Sequence, residues 1–157
     1  MTKNSLSPNA TIGIVGGGQL GRMLALAASE LGLKSHIYCP EADCPAAQVS
    51  HAFTTAAYDD ETALTAFAAA VDVVTYEFEN IPVTTVEHIA ASKHVFPSAK
   101  ALKIAQDRLE EKSFIRAQGL GVADFFDVTD LASLEAALAQ CGGAGILKTR
   151  RFGYDGK

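Results

Sequence analysis

The sequence predicts an α/β fold built on a parallel, doubly wound sheet. Two observations carry this expectation. The chain opens with a strand, a glycine loop, a helix and a second strand. Strand-like and helix-like segments then keep alternating to about residue 97. Thr11–Val15 is a short apolar run that leads straight into Gly16-Gly17-Gly18-Gln19-Leu20-Gly21. Leu20, Met23, Leu24, Ala27 and Leu31 then recur at helical spacing, which predicts an amphipathic helix ending near Gly32 with those residues on its apolar face. Lys34–Cys39 reads as the next strand, closed by Pro40.

The same alternation places a short strand at 51–55 and an Ala-rich helix at 60–70, capped by Asp59 or Asp60. A β-branched strand follows at 71–76, a loop at 77–82, a helix at 83–92 and a last short strand at 95–97. Residues 11–97 thus read as one domain behind a polar, disordered tail of ten residues. From 98 a second, α+β unit begins. It has a short helix at 98–104 and a helix opened by the capping box Asp107-x-x-Glu110 and ended by Gly119. Strand, helix and strand are then expected at 125–128, 131–140 and 145–150. The unit lacks further strands, so it is expected to expose apolar surface and unpaired strand edge.

Bulk properties narrow the function. The 157 residues carry 13 Lys and Arg against 18 Asp and Glu, a net charge of −5. That balance argues against a nucleic-acid surface. No apolar stretch approaches the length of a membrane span, and Met1 to Ala10 is too polar for a signal peptide. Cys39, Cys44 and Cys141 sit at no metal-ligand spacing and read as reduced thiols of a cytoplasmic protein, with Cys44 the exposed one. His36, His51, His88 and His94 are scattered and read as structural or surface residues.

The features that carry chemistry lie at expected strand ends. Gly16-x-Gly18-x-x-Gly21 follows a strand and opens a helix, the context in which small residues and a helix N-terminus admit an anion. Glu41 lies where an NAD enzyme places its ribose-binding acid, but it follows Pro40 rather than ending the strand. NAD and another phosphorylated ligand both remain open on this half, beside a tight turn needed only for packing. Glu77, Glu79 and Asn80 follow the expected fourth strand, placed to hold ribose hydroxyls or a neighbouring loop. Arg108 in a first helical turn opposes the helix dipole, a mild misfit that fits a ligand or simple solvation. Lys148 ends an apolar run and is expected to be partly buried against phosphate, or against a nearby carboxylate. The loop Gly153-Tyr154-Asp155-Gly156-Lys157 combines backbone freedom with positive charge, which suits a clamp over nucleotide phosphates.

Together, Gly-Gly-Gly-Gln-Leu-Gly-Arg-Met at 16–23, Tyr-Glu-Phe-Glu-Asn-Ile-Pro at 76–82, Asp-Arg at 107–108 and Lys-Thr-Arg-x-x-Gly-Tyr-Asp-Gly-Lys at 148–157 resemble the 5-(carboxyamino)imidazole ribonucleotide synthetases, ATP-grasp ligases of purine biosynthesis. The resemblance covers about residues 11–157. It implies a Rossmann-like pre-ATP-grasp domain followed by the truncated start of an ATP-grasp domain. It also implies a reaction in which ATP and bicarbonate, by way of carboxyphosphate, carboxylate the exocyclic amine of 5-aminoimidazole ribonucleotide.

By the same resemblance, Arg108, Lys148 and residues Gly153, Tyr154, Asp155, Gly156 and Lys157 would bind ATP, with Asp155 and Lys157 catalytic. Gly18, Gln19, Leu20, Glu77, Asn80, Tyr154 and Asp155 would bind the ribonucleotide. Magnesium would accompany ATP on ligands beyond residue 157, with no metal ligand inside the chain. A homodimer is expected, and the fragment alone is expected to be inactive. The rivals are an NAD-binding module, another ATP-grasp carboxylase or ligase, and a short non-catalytic interaction domain.

Overall fold

The structure, a computed structural model, describes residues 5–153. The chain forms two compact units, one up to Leu102 and one from Lys103 onward.

The first unit is built on four parallel strands, β1 (Thr11–Val15), β2 (Lys34–Cys39), β3 (Ala52–Thr55) and β4 (Val73–Tyr76), in the order β3-β2-β1-β4. Ile14 lies beside Ile37 on one side and Thr75 on the other. Helices α1 (Gln19–Glu30), α2 (Glu61–Ala69) and α3 (Val83–Ala90) connect or flank the strands. The period-two alternation of strands divides the core in two. Val15, Tyr38 and Val74 join Leu64, Phe67, Val86 and Ile89 in one cluster. Ile14, Ile37 and Cys39 join Ala25, Cys44 and Ala46 in the other. Both faces of the sheet are therefore covered, as a parallel sheet requires.

Local chemistry explains the element ends. Asp60 caps α2 by accepting from the Ala63 amide at 2.9 Å. The residues immediately before β1 are hydrogen-bonded. The Asn9 amide donates to Gly32 O at 3.0 Å, and that of Ala10 to Ser7 O at 3.0 Å. The strand expected at 95–97 reduces to an isolated bridge between Val74 and Val95. The Val74 amide donates to His94 O and the Phe96 amide to Val74 O, and Pro97 then has no N–H to extend the ladder.

Helix α1 corrects the expected apolar face. Its buried residues are Gly21, Ala25 and Ala28, whereas Leu20, Met23 and Leu31 are 52%, 58% and 77% exposed. Small residues let the helix lie close on the sheet, and this close approach overrides the leucine periodicity. Cys44 is also corrected, because it is buried and Cys141 is the exposed thiol. The Ala46 amide donates to Gly17 O at 3.0 Å and draws the 44–46 segment under the glycine loop.

Helix α4 (Ala99–Ala105) crosses the division between the units. The second unit then contains α5 (Arg108–Ala117) and α6 (Leu131–Gln140). Asp107 caps α5 by accepting from the Leu109 and Glu110 amides. Asp130 and Ser133 form a full capping box on α6. The strands expected at 125–128 and 145–150 do not form among the described residues, because no ladder partner satisfies their backbone groups. Ile146 and Leu147 are 85% and 69% exposed, in keeping with the expected apolar surface. Among the described residues no helix is long and apolar enough to cross a membrane.

Candidate functional site

The glycine loop sits where β1 meets α1, beside the carboxyl end of β4. In this strand order the chain leaves β1 toward β2 and β3, then returns to place β4 on the other side of β1. The crevice between β1 and β4 is the topological switch point, where open α/β sheets place ligands. Gly16 adopts φ +107°, a left-handed conformation that glycine alone takes without strain. Its amide donates to Tyr38 O at 2.9 Å.

The strongest partner of this loop is Glu77. One carboxylate oxygen, Oε1, accepts from the Gly18 amide at 2.9 Å, and Oε2 accepts from the Gly21 amide at 2.7 Å. The Glu77 backbone amide donates to Val15 O at 3.0 Å. Of the two expectations for this residue, the structure realises the contact to a neighbouring loop. A carboxylate has about four acceptor positions, so hydroxyl groups still have room to bind it.

Gln19 and Leu20 are exposed beside this carboxylate, Asn80 is half-buried, and Glu79 is exposed. Ile81, fully buried, fills the core position adjacent to them. Arg22 braces the far side of the loop, donating to Gln48 Oε1 at 2.7 Å and to Pro45 O at 3.1 Å.

Beneath the loop, Cys39 and Cys44 both face Gly17, where any side chain would strike the two sulfurs. Burial pushes the Cys39 thiol up to about 12, with the neighbouring Cys44 adding to the effect. The Cys39 thiol is a packing group at neutral pH rather than a nucleophile. Glu41 is exposed after Pro40, and its backbone oxygen accepts from Cys39 Sγ at 3.1 Å. The histidines form local contacts. His36 pairs with Thr54 Oγ1 at 2.8 Å, and His88 with Thr65 Oγ1 at 2.9 Å.

The second unit holds a cavity of about 830 Å³ lined by Arg108, Lys148, Thr149 and Gly153 among polar groups, with Leu131, Leu134, Ile146 and Leu147 among apolar ones. A cavity of this size with a few convergent polar groups on an apolar wall suits a small ligand. Lys148 lies on this lining but is exposed, not partly buried, because the strand meant to carry it inward does not form. Among the described residues its ammonium has no hydrogen-bond or ion-pair partner. Arg108 donates from Nη2 to Gly153 O at 2.9 Å, so its position in the first turn serves a backbone contact.

The α5 N-terminus is fastened to the 150–153 segment at three further points. The Arg108 amide donates to Arg150 O at 2.9 Å. Arg150 pairs with Asp107 at 2.9 Å and with Asp127 at 3.7 Å. Arg151 donates to Gln106 Oε1 at 2.6 Å. Partial burial pushes the Asp107 carboxyl up, but the Arg150 guanidinium and the Glu110 and Leu109 amides together hold it below its ordinary value. The same pairing raises Arg150.

Sequence reasoning missed this clasp. Its only local signal is the recurrence of arginines at 150 and 151 after an acidic helix cap. Tyr154, Asp155, Gly156 and Lys157, expected to bind ATP and substrate, lie outside the described residues. Residues 5–153, the described ones, gather no group of three or more His, Cys, Asp or Glu side chains fit for a metal ion.

Known proteins match this architecture. A family model for the ribonucleotide synthetase preATP-grasp domain covers residues 9–106. The N5-carboxyaminoimidazole ribonucleotide synthase of Brucella melitensis biotype 1 is 54% identical over 157 residues, all of this chain and 43% of that protein. The crystal structure of an N5-carboxyaminoimidazole ribonucleotide synthetase in complex with ADP superposes with a TM-score of 0.92 at 42% identity, over 100% of this chain and 41% of that one. The Aspergillus clavatus N5-carboxyaminoimidazole synthase, solved with ADP and 5-aminoimidazole ribonucleotide, gives a TM-score of 0.77 at 28% identity, over 86% and 37% of the two chains. The chain thus spans less than half the length of these relatives. With its parallel sheet and Gly-Gln-Leu-Gly loop, it belongs to the ribonucleotide synthetase preATP-grasp domain family.

Proposed function

We propose that this chain is part of an ATP-dependent carbon–nitrogen ligase that carboxylates the exocyclic amine of 5-aminoimidazole ribonucleotide, with bicarbonate as the carbon source. The observation that carries the reading is the cavity of the second unit, where Arg108, Lys148 and Gly153 converge. Two cations beside an apolar wall suit a nucleotide's phosphates and its base. The relatives solved with ADP, and with ADP and 5-aminoimidazole ribonucleotide, support both substrates.

In this reading Lys148 and Arg108 neutralise the phosphates while a bicarbonate oxygen attacks the terminal phosphorus of ATP, the bond from that phosphorus to the bridging oxygen breaks, and ADP leaves as carboxyphosphate forms. Charge neutralisation and positioning dominate phosphoryl transfer, so these residues contribute mainly through electrostatics. Gly18, Gln19, Leu20, Glu77 and Asn80 bind the ribonucleotide, with Glu77 using acceptor positions that the loop leaves free. Tyr154, Asp155, Gly156 and Lys157 complete the nucleotide loop. Asp155 orients the substrate amine and takes its proton as the amine attacks the carboxyphosphate carbon and phosphate leaves, and Lys157 is the second catalytic residue.

Magnesium would accompany the triphosphate. The protein acts in the cytoplasm as a homodimer, which light scattering of the purified protein tests.

The test of the ligase reading is ADP release by the protein that carries this chain, in the presence of ATP, magnesium and bicarbonate. Release is expected to depend on 5-aminoimidazole ribonucleotide and to fall by roughly 100-fold or more in Lys148→Ala. Release indifferent to the ribonucleotide would sink the substrate assignment. Unchanged release in Lys148→Ala would remove the lysine from the site.

A further inference from the structure

The glycine fingerprint of this chain contains its own anion. A dinucleotide-binding loop uses the amides at the start of its helix, and the absence of side chains on its glycines, to receive a pyrophosphate. Here the amides of Gly18 and Gly21 already donate to the two oxygens of Glu77, at 2.9 and 2.7 Å. The three fingerprint glycines also abut this one side chain. A Cβ on Gly16 would lie 2.5 Å from Glu77 Cγ, one on Gly18 2.9 Å from Oε1, and one on Gly21 3.0 Å from Oε2. The glycines make room for a carboxylate.

The placement follows from the sheet. Glu77 is the first residue after β4, and the glycine loop is the first segment after β1, with β1 and β4 paired side by side. Val15 is fully buried, and the Glu77 amide bonds to its carbonyl, so the root of the acidic side chain is fixed to the core. From there its carboxylate spans the switch-point crevice.

We propose that Glu77 is a positioning residue, a built-in anion that holds the glycine loop in place of a bound phosphate. It sets the exposed Gln19 and Leu20 at the start of α1 and closes the fingerprint to dinucleotides. A pyrophosphate entering this crevice meets a carboxylate on the very amides it needs. Displacing that carboxylate leaves a part-buried negative charge without its donors. The distinguishing sequence sign is an acid directly after β4 in a chain whose β1 ends in Gly-x-Gly-x-x-Gly. This inference needs no substrate, so it stands or falls separately from the ligase reading.

Residue-resolved amide hydrogen exchange tests it. In the wild-type chain the Gly18 and Gly21 amides are expected to be protected, unlike the amide of the exposed Gly121. Glu77→Gln keeps the side-chain shape but offers one acceptor oxygen and turns an N–H toward the loop. Exchange at Gly18 and Gly21 should then accelerate by roughly tenfold or more, while Gly13 and Ile14 in β1 keep their protection.

In Glu77→Ala, sodium formate or inorganic pyrophosphate, at matched ionic strength against sodium chloride, should restore protection at the same two amides. Wild type should respond to neither. The proposal is overturned if the wild-type Gly18 and Gly21 amides exchange as fast as Gly121, or if Glu77→Gln leaves both unchanged. It is equally overturned if a folded Glu77→Ala is rescued by neither anion. Should Glu77→Ala fail to fold, the wild-type and Glu77→Gln exchange rates decide alone.

Discussion

The two units of this chain spend their apolar residues in opposite ways. Up to Leu102, strands and helices bury Ile14, Val15, Ile37, Tyr38, Phe67, Val74, Ile81, Val86 and Ile89 almost completely. From Lys103 onward, Ala137 is the single buried apolar residue among those described. Ile146, Phe152, Leu131 and Leu147 stand 85%, 73%, 69% and 69% exposed there. The second unit is organised by caps and ion pairs, the first by burial. Burying a large apolar side chain contributes about 1.5–3 kcal/mol, whereas an exposed ion pair contributes about 0–1 kcal/mol. The first unit should therefore carry nearly all of the chain's resistance to unfolding.

Matched substitutions sharpen that contrast. Phe67 packs against Tyr38 at a ring-centroid distance of 5.3 Å and against His36 at 5.0 Å. Phe67→Ala is expected to cost about 3–5 kcal/mol, while Leu147→Ala in the second unit should stay within about 0.5 kcal/mol. Urea unfolding followed by circular dichroism measures both, and equal losses would break the contrast. A glycine pair makes the next comparison. A Cβ on Gly13 would fall 2.7 Å from Phe67 Cζ, but one on Gly145 meets nothing within 4 Å. Gly13→Ala should cost about 1–3 kcal/mol, and Gly145→Ala should be neutral or stabilising by up to about 1 kcal/mol.

Smaller effects read the second unit directly. Asp107→Ala removes both the α5 cap and the Arg150 partner, with an expected loss of about 0.5–2 kcal/mol from the cap. Faster hydrogen exchange should appear in α5 and leave β1 and β2 untouched. Spread of the effect into those strands would show that the units unfold together.

Acid should separate the units by pH. Burial, helped by His51, holds His36 below its ordinary 6.5, so the folded state favours the neutral ring. Its contribution is complete at pH values above 6.5 and is lost as pH falls from there through the lower folded value. Asp107 is held below its ordinary 3.8, so its contribution persists above that value and disappears only as pH drops further. Melting temperature followed from pH 7.5 to 5 should therefore decline, and His36→Gln should flatten the decline. Asp107→Asn should leave that range unchanged.

The first unit was largely legible in the sequence because its signals are local and redundant. β1, β2 and α2 announce themselves through β-branched runs, a proline stop and an aspartate cap. Its one misread face, on α1, shows where periodicity fails. Leu20, Met23 and Leu24 form the more obvious stripe, yet Gly21, Ala25 and Ala28 are buried because close helix–sheet approach rewards small side chains. The second unit was legible only in its helices. Apolar runs at 125–128 and 145–150 have strand composition, but a strand exists through its partner and composition cannot supply one.

The site shows the same limits. The contact of Glu77 with a neighbouring loop could be named in advance, because the residue directly follows an expected strand. The pairing of Asp107 with Arg150, across 43 positions of sequence, could not.

The carboxylate of Glu77 has one more consequence, for competition. It is tethered to the loop it holds, so it acts as a ligand at very high effective concentration, whereas a free anion must compete from solution. For tethered groups that advantage starts near the millimolar range and rises steeply when the geometry is fixed. Buffer phosphate, sulfate or free nucleotides at ordinary concentrations should thus leave the loop unmoved. An assay of this chain can vary those anions freely and attribute any response to sites elsewhere in the protein.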